Sequence, residues 1–305
     1  MVRPIRFAFN EETAGNNAFQ QKAETEDAVL EIQRKAVEEF DSYVRLLRDN
    51  GVEVEVLQDT PEPFTPDSIF PNNCFSTHLE KDKDGKNLRT LVWYPMFANN
   101  RRLEREKLKN ALDKEVFDKI IDLTPSEADG AFLEGTGSLI LDREAKLAFC
   151  CASPRSSENV LERWAEKLDY EYFLFNAEDE EGTPIYHTNV MMHVGSDIAV
   201  VCLDSVTDIE ERERLIELLE ENGKEIVEIS FEQMHSFAGN MLELKGKDED
   251  GKPCKLLVMS ATAKNSLTEE QLAQLEDKVR IVAPEISSIE TAGGGSARCM
   301  LAEIF

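Results

Sequence analysis

One pattern recurs along this chain and restricts its fold more than any single motif. Apolar residues at helical spacing are followed by a strand, a loop and two further strands, and the unit returns five times. "AVLEIQRKAVEEFDSYVRLLRDNG" stops at Gly51 and leads to "VEVEVL", then "NCFSTHL" and "LRTLVWYP". "NRRLEREKLKNAL" leads to "KIIDL", "GSLILD" and "KLAFCCA". "SENVLERWAEKL" leads to "YEYFLFNA", "NVMMHVG" and "DIAVVCL". "IEERERLIELLEENG" leads to "EIVEIS", "NMLELKG" and "KLLVMS", and "TEEQLAQLEDKV" to "RIVAP" and "RCMLAEIF". The last unit lacks a final strand, which "IRFAFN" near the N-terminus is expected to supply. Sequence identity between the units is negligible, so the repeat is one of pattern. Units stacked around an axis leave few open sheet edges. The expectation is therefore one α/β domain over residues 1–305, a closed ring of five helix-and-strand units.

In such a ring each loop after the first strand of a unit points at the axis, and these loops carry the chemistry. "PDSIFPNN" holds Asp67, Asn72 and Asn73; "FLEGTGS" holds Glu134; "YHTNV" holds His187 and Asn189; "MHSFAGN" holds His235 and Asn240; "GGGSARC" holds Cys299. From Asn73 the steps are 61, 53, 53 and 59 residues to Glu134, His187, Asn240 and Cys299. Side chains remote in sequence then converge on one centre.

The glycines before Cys299 let backbone turn sharply toward that centre, with Cys299 opening the closing strand. A thiol needs proton transfer and positioning to act as a nucleophile, and His187 and Glu134 lie in the right loops to supply both. His78 and His193 fall on strands and read as structural, while His235 reads equally as site-lining or as a satisfied polar group. Cys74, Cys150, Cys151, Cys202 and Cys254 sit in apolar strand-like contexts and read as small buried hydrophobes. No Cys/His pair has zinc-ligand spacing, so no metal and no cofactor is expected.

The charge balance of 61 acidic against 34 basic residues repels phosphate backbones and argues against nucleic acid. No apolar run approaches membrane-spanning length. With six cysteines in no disulfide-type spacing and no leader-like start, the sequence reads as cytoplasmic. The expected partner is a small amino-acid substrate, and a homodimer stays open.

Seven stretches in order, "RPIRFAFNEETAGNNAFQ", "PDSIFPNN", "LEGTGSLILD", "SPRS", "YHTNVMMHVG", "FAGNMLEL" and "GGGSARCMLAEIF", resemble the guanidino-group-modifying superfamily. The likeness is greatest to its arginine deiminase-related, citrulline-utilising hydrolase group. The resemblance implies a five-bladed α/β-propeller, the pentein fold, with Cys299 as nucleophile, His187 as proton carrier and Glu134 beside it. It also implies a site aspartate at each of two positions that here are Asn73 and Asn189. Amides in place of carboxylates suit a neutral ureido group better than a guanidinium, so citrulline is the expected substrate. Asp67 is left to hold an N–H group or the substrate ammonium. Arg155 in "SPRSS" is expected to take the substrate carboxylate, with Arg102 or Arg101 a weaker candidate. Arginine deiminase, methylarginine hydrolase, amidinotransferase and a non-catalytic amino-acid-binding ring are the alternatives.

Overall fold

The computed structural model describes every residue except 16, 18, 82, 83 and 113. Two of the exceptions fall in the polar turn "KDKDGKN", part of which therefore lies outside the described residues. Helix Glu26–Asp49 starts where the Thr25 side chain accepts from the Ala28 N–H. It buries Ala36, Phe40, Tyr43, Val44 and Leu47, a stripe at the spacing of one helical face. Helix Glu158–Leu168 does the same with Val160, Leu161, Trp164, Ala165 and Leu168. Each large apolar side chain so buried contributes about 1.5–3 kcal/mol. Serine and threonine caps paired with a glutamine three residues on start helices Phe231–His235 and Glu269–Lys278.

The strands form five small sheets. Each contains a parallel pair joined through helix: Val2–Arg3 with Leu57–Gln58, Asn87–Trp93 with Lys119–Asp122, Leu147–Cys151 with Glu171–Phe175, Ile198–Val201 with Glu225–Glu228, and Pro253–Val258 with Arg280–Val282. In four sheets an antiparallel inner strand is added: Phe75–Lys81, Ile140–Asp142, Met192–Val194 and Leu242–Lys247. Inner strands of successive sheets touch, Ile140–Asp142 against Met192–Val194 and the latter against Leu242–Lys247. The mixed α/β architecture thus fits five repeated units.

Three details differ from the sequence reading. Residues 52–56 alternate as a strand would, but only Leu57–Gln58 pairs. Beyond Arg3 the Pro4 ring fixes φ near about −65°, away from the extended values of a strand, and the pairing stops there. The N-terminal strand is therefore Val2–Arg3 and not "IRFAFN". Cys299 does not open a strand: it sits in a 3₁₀ turn, Ala297–Met300.

Candidate active site

Each inner strand is preceded by a short turn, and the turns carry the chemistry. Pro71–Asn73, Gly135–Ser138 and Thr188–Met191 are single helical turns, with Glu134 and His187 as the residues capping the last two. Ala297–Met300 is the fifth unit's counterpart. Gly294, at φ 62°, ends the preceding helix Ser287–Gly293 in a left-handed conformation that favours glycine.

The turns bring Glu134, His187 and Cys299 to the interior, all under a tenth exposed. His187 Nε2 lies 2.8 Å from Oε2 of Glu134. Glu134 Oε1 accepts from the Phe97 N–H at 2.8 Å, and Arg155 Nη1 donates to Oε2 at 3.5 Å. Burial pushes the Glu134 carboxyl up. The Arg155 cation, the His187 hydrogen bond and Arg101 outweigh it and hold the group well below the usual carboxylate range. Burial, with the Arg155 and Arg101 cations, lowers His187 to about 4 against the pull of Glu134. The pair is therefore an ionised carboxylate and a neutral imidazole. An ionised Glu134 only accepts, so Nε2 carries the hydrogen and Nδ1 keeps its lone pair. Gly137 makes room for this ring: a Cβ there would stand 2.3 Å from Nδ2 of Asn73 and 2.8 Å from Nδ1 and Cε1 of His187.

Two amides address the sulfur. Asn189 Nδ2 lies 3.5 Å and Asn240 Nδ2 3.3 Å from Sγ of Cys299. Asn240 also accepts from the Arg298 N–H at 3.0 Å and donates to the Asn189 carbonyl at 3.0 Å. Asn189 Oδ1 is buried and has no hydrogen-bond partner among the described residues. Asn73 is engaged: its Oδ1 accepts from Arg101 Nη1 at 2.7 Å, and its Nδ2 donates to the Glu134 carbonyl at 3.4 Å.

Asp67 is buried beside them. Its Oδ2 accepts from Asn10 Nδ2 at 2.7 Å, while Oδ1 has no hydrogen-bond partner among the described residues. Burial raises its carboxyl, against Arg101 and the Asn10 bond. Arg155, 2 % exposed, stacks 4.8 Å over the Tyr186 ring and donates to the Thr13 carbonyl at 3.4 Å.

Arg102 is not brought to this group. Its Nε and Nη2 donate to the carbonyls of Met96 and Phe97, with Glu127 3.6 Å away. Arg101 is the arginine that turns inward, clamped on Glu104 at 2.9 and 3.1 Å. His235 is exposed and packs on Phe19, 5.9 Å between ring centres. His78, His193, Cys74, Cys150, Cys151 and Cys202 are buried, as expected of structural residues, whereas Cys254, expected to be buried too, is half-buried near the start of its strand. Asn10 was not singled out by the sequence, and Asn240 was noted only as a loop residue. Among the described residues no group of three His, Cys, Asp or Glu is placed to hold a metal ion.

A family model described as N,N dimethylarginine dimethylhydrolase, eukaryotic, matches residues 3–305. The chain belongs to that family. It is thereby a member of the guanidino-group-modifying pentein superfamily, a hydrolase of carbon–nitrogen bonds other than peptide bonds. No curated protein matches it. Among solved structures it is similar to the N-terminal domain of ArgZ, an arginine dihydrolase from the ornithine-ammonia cycle in cyanobacteria, in a variant bound to substrate. The two share 18 % identity over 98 % of this chain and 95 % of that one, with a TM-score of 0.69. AgrE in a binary complex with L-arginine gives 17 % identity and a TM-score of 0.69, over 98 % of this chain and 39 % of AgrE. Dimethylarginine dimethylaminohydrolase, as an adduct with S-methyl-L-thiocitrulline, gives 17 % and 0.60, over 88 % of each chain. At these identities the likeness is one of fold, and the family membership carries the hydrolase assignment.

Proposed function

We propose that this family member hydrolyses citrulline at its ureido carbon, giving ornithine, carbon dioxide and ammonia, with Cys299 as nucleophile. The observation that carries the choice of substrate is that the side chains held against Sγ are amides, Asn189 and Asn240, with Asn189 Oδ1 buried and unpartnered. A ureido group offers N–H donors to that oxygen and a carbonyl to the amide donors. Arg155 takes the substrate carboxylate. Support for the closed five-bladed ring comes from the Val2–Arg3 pairing with Leu57–Gln58, which joins the chain start to the first unit.

In this reading the thiol proton passes to Nδ1 of His187 and Sγ bonds to the ureido carbon. His187 returns the proton to the departing nitrogen, ammonia leaves, and an S-linked thiocarbamate remains. Water, deprotonated by His187, attacks the same carbon; the C–S bond breaks and its electrons return to sulfur. The released carbamate loses carbon dioxide to give the amine of ornithine. Glu134 holds the imidazole in the required tautomer throughout.

A second reading has its own observation. Asp67 Oδ1 is a buried carboxylate oxygen without a partner, and a substrate guanidinium would pair with it. Arginine is then the starting substrate, as the likeness to an arginine dihydrolase suggests. One hydrolysis of arginine leaves citrulline, so the two readings are successive steps on one carbon. The test follows products from citrulline, arginine and dimethylarginine with wild type and Cys299→Ser. We expect ornithine from citrulline and loss of at least about a thousandfold in rate with serine. Arginine turnover that stops at citrulline, or release of dimethylamine alone, overturns the citrulline assignment. Retention of more than about a tenth of the rate by Cys299→Ser overturns the nucleophile.

A further inference from the structure

At the far end of the inner strands lies a polar cavity of about 180 Å³ that the proposed chemistry does not use. Asp142, Arg143, His193, Glu243, Arg298 and Glu303 line it. Two of these groups are buried and short of partners. Arg298 is 5 % exposed, and among the described residues only Nη1 of its side chain donates, to the Leu301 carbonyl at 2.8 Å. Glu303, whose charge it feels, is engaged by Arg143 at 3.1 Å. One carboxylate shared between two guanidinium groups leaves a net positive charge, which an anion in the cavity would relieve.

His193 is 3 % exposed, and among the described residues its Nε2 has no hydrogen-bond partner, so this ring nitrogen is left to engage a group in the cavity. A Cβ built on Gly195 would stand 3.3 Å from that Nε2 and 2.7 Å from Oε2 of Glu243. The two acceptors therefore flank one glycine, and the Glu243 carboxylate, which takes the Ser196 N–H on Oε2 at 3.1 Å and the Ser196 hydroxyl on Oε1 at 2.7 Å, keeps a further lone pair on each oxygen.

We propose that this cavity is a second small-molecule site, for a zwitterionic α-amino acid. The carboxylate sits on the unused donors of Arg298, and the ammonium lies between Nε2 of His193 and Oε2 of Glu243. A phosphate ester fits poorly, because Asp142, Glu243 and Glu303 share the wall. The backbone N–H of Arg298 donates to Asn240 Oδ1, and Asn240 Nδ2 to Sγ of Cys299, so the residue whose side chain would hold the occupant is tied by its backbone to the Cys299 turn.

Equilibrium dialysis of the full chain carrying Cys299→Ser, against radiolabelled ornithine, citrulline, arginine and glycine separately, tests this. For at least one of them we expect an equivalent of bound amino acid that is lost when His193→Phe is added and kept when Arg155→Lys is added. Glu243→Gln, which preserves shape, weakens that equivalent at least tenfold and decides the matter should His193→Phe not fold. If no probe shows such an equivalent, or if it survives both His193→Phe and Glu243→Gln, the cavity holds water only and the site does not exist. An equivalent lost with Arg155→Lys instead belongs to the Cys299 site.

Discussion

His187 and His193 stand six residues apart, one capping the turn Thr188–Met191 and the other in the strand that follows it. Both are buried, both are lowered by burial and by nearby arginines, and each is flanked by a glycine that leaves room for its ring. What separates them is a carboxylate. Glu134 reaches His187 at 2.8 Å and fixes which nitrogen holds the hydrogen; among the described residues no carboxylate is hydrogen-bonded to Nε2 of His193. A neutral imidazole whose tautomer is set by an ionised partner is equipped to carry a proton both ways. One without such a partner is equipped to accept a hydrogen bond and little else.

The largest expected effect breaks this comparison directly. His187→Asn should lower kcat by about 10²–10⁴, the usual contribution of a positioned general acid and base. His193→Asn, saturated with substrate, should stay within about threefold of wild type. The measurement is ornithine formation from citrulline under single-turnover and steady-state conditions. Equal losses in the two variants would show that the histidines matter for packing and that the Glu134 contact confers nothing.

The flanking glycines give a smaller contrast. Gly137→Ala places a methyl 2.3 Å from Nδ2 of Asn73 and 2.8 Å from the His187 ring, both buried and held by other bonds. Neither can retreat, so the ring is displaced, and kcat should fall by roughly 10- to 100-fold, as misplacement by about an ångström does. Gly195→Ala meets Oε2 of Glu243 first, the end of a half-buried side chain whose bonds from Ser196, at 3.1 and 2.7 Å, can re-form after a small swing and lie outside the Cys299 site. Its kcat should change by less than about threefold, since a surface adjustment of this sort stays near ±0.5 kcal/mol. A larger kcat loss in the second variant than in the first would reverse the assignment of rigid and yielding neighbours.

Much of this contrast could be read before any coordinates. Helix ends at Gly51 and Leu168, the hairpins, and the loops carrying Glu134, His187 and Cys299 all follow from apolar periodicity and turn residues. What escaped notice is of two kinds. Short turns such as Ala297–Met300 are too brief to leave a period in the sequence, so Cys299 read as the start of a strand. Partners far apart in the chain leave no local mark either. Asn10 meets Asp67 across 57 residues. Arg101 and Arg102 are adjacent letters, yet a helical turn separates their directions by roughly 100°. One is buried on Glu104, and the other lies over the carbonyls of Met96 and Phe97. The sequence shows that an arginine is present there; which one faces inward depends on the phase of a four-residue helix.

The smallest effect is on stability, and it sharpens the comparison through pH. His187 is held at about 4 and His193 at about 3 in the folded chain, below the ordinary value of about 6.5. Between those limits the unfolded chain binds more protons than the folded one, so stability rises with pH in this window. It is fully present above about 6.5 and is lost as pH falls through the folded values. Each histidine contributes a slope of up to about 1.4 kcal/mol per pH unit. Asp67 and Glu104, whose carboxyls burial raises, work in the opposite sense just above the ordinary carboxylate range and offset part of the loss. Urea unfolding between pH 7 and 4.5 should therefore show a declining midpoint, and either His→Asn variant should flatten the decline by about one proton. The two histidines part company lower down. Glu134 favours the imidazolium of His187, while the nearby Arg298 and Lys224 cations oppose that of His193, so a proton-resolved titration should show His187 charging before His193. If His193 charges first, the Glu134 contact does not favour the imidazolium of His187 as the geometry requires.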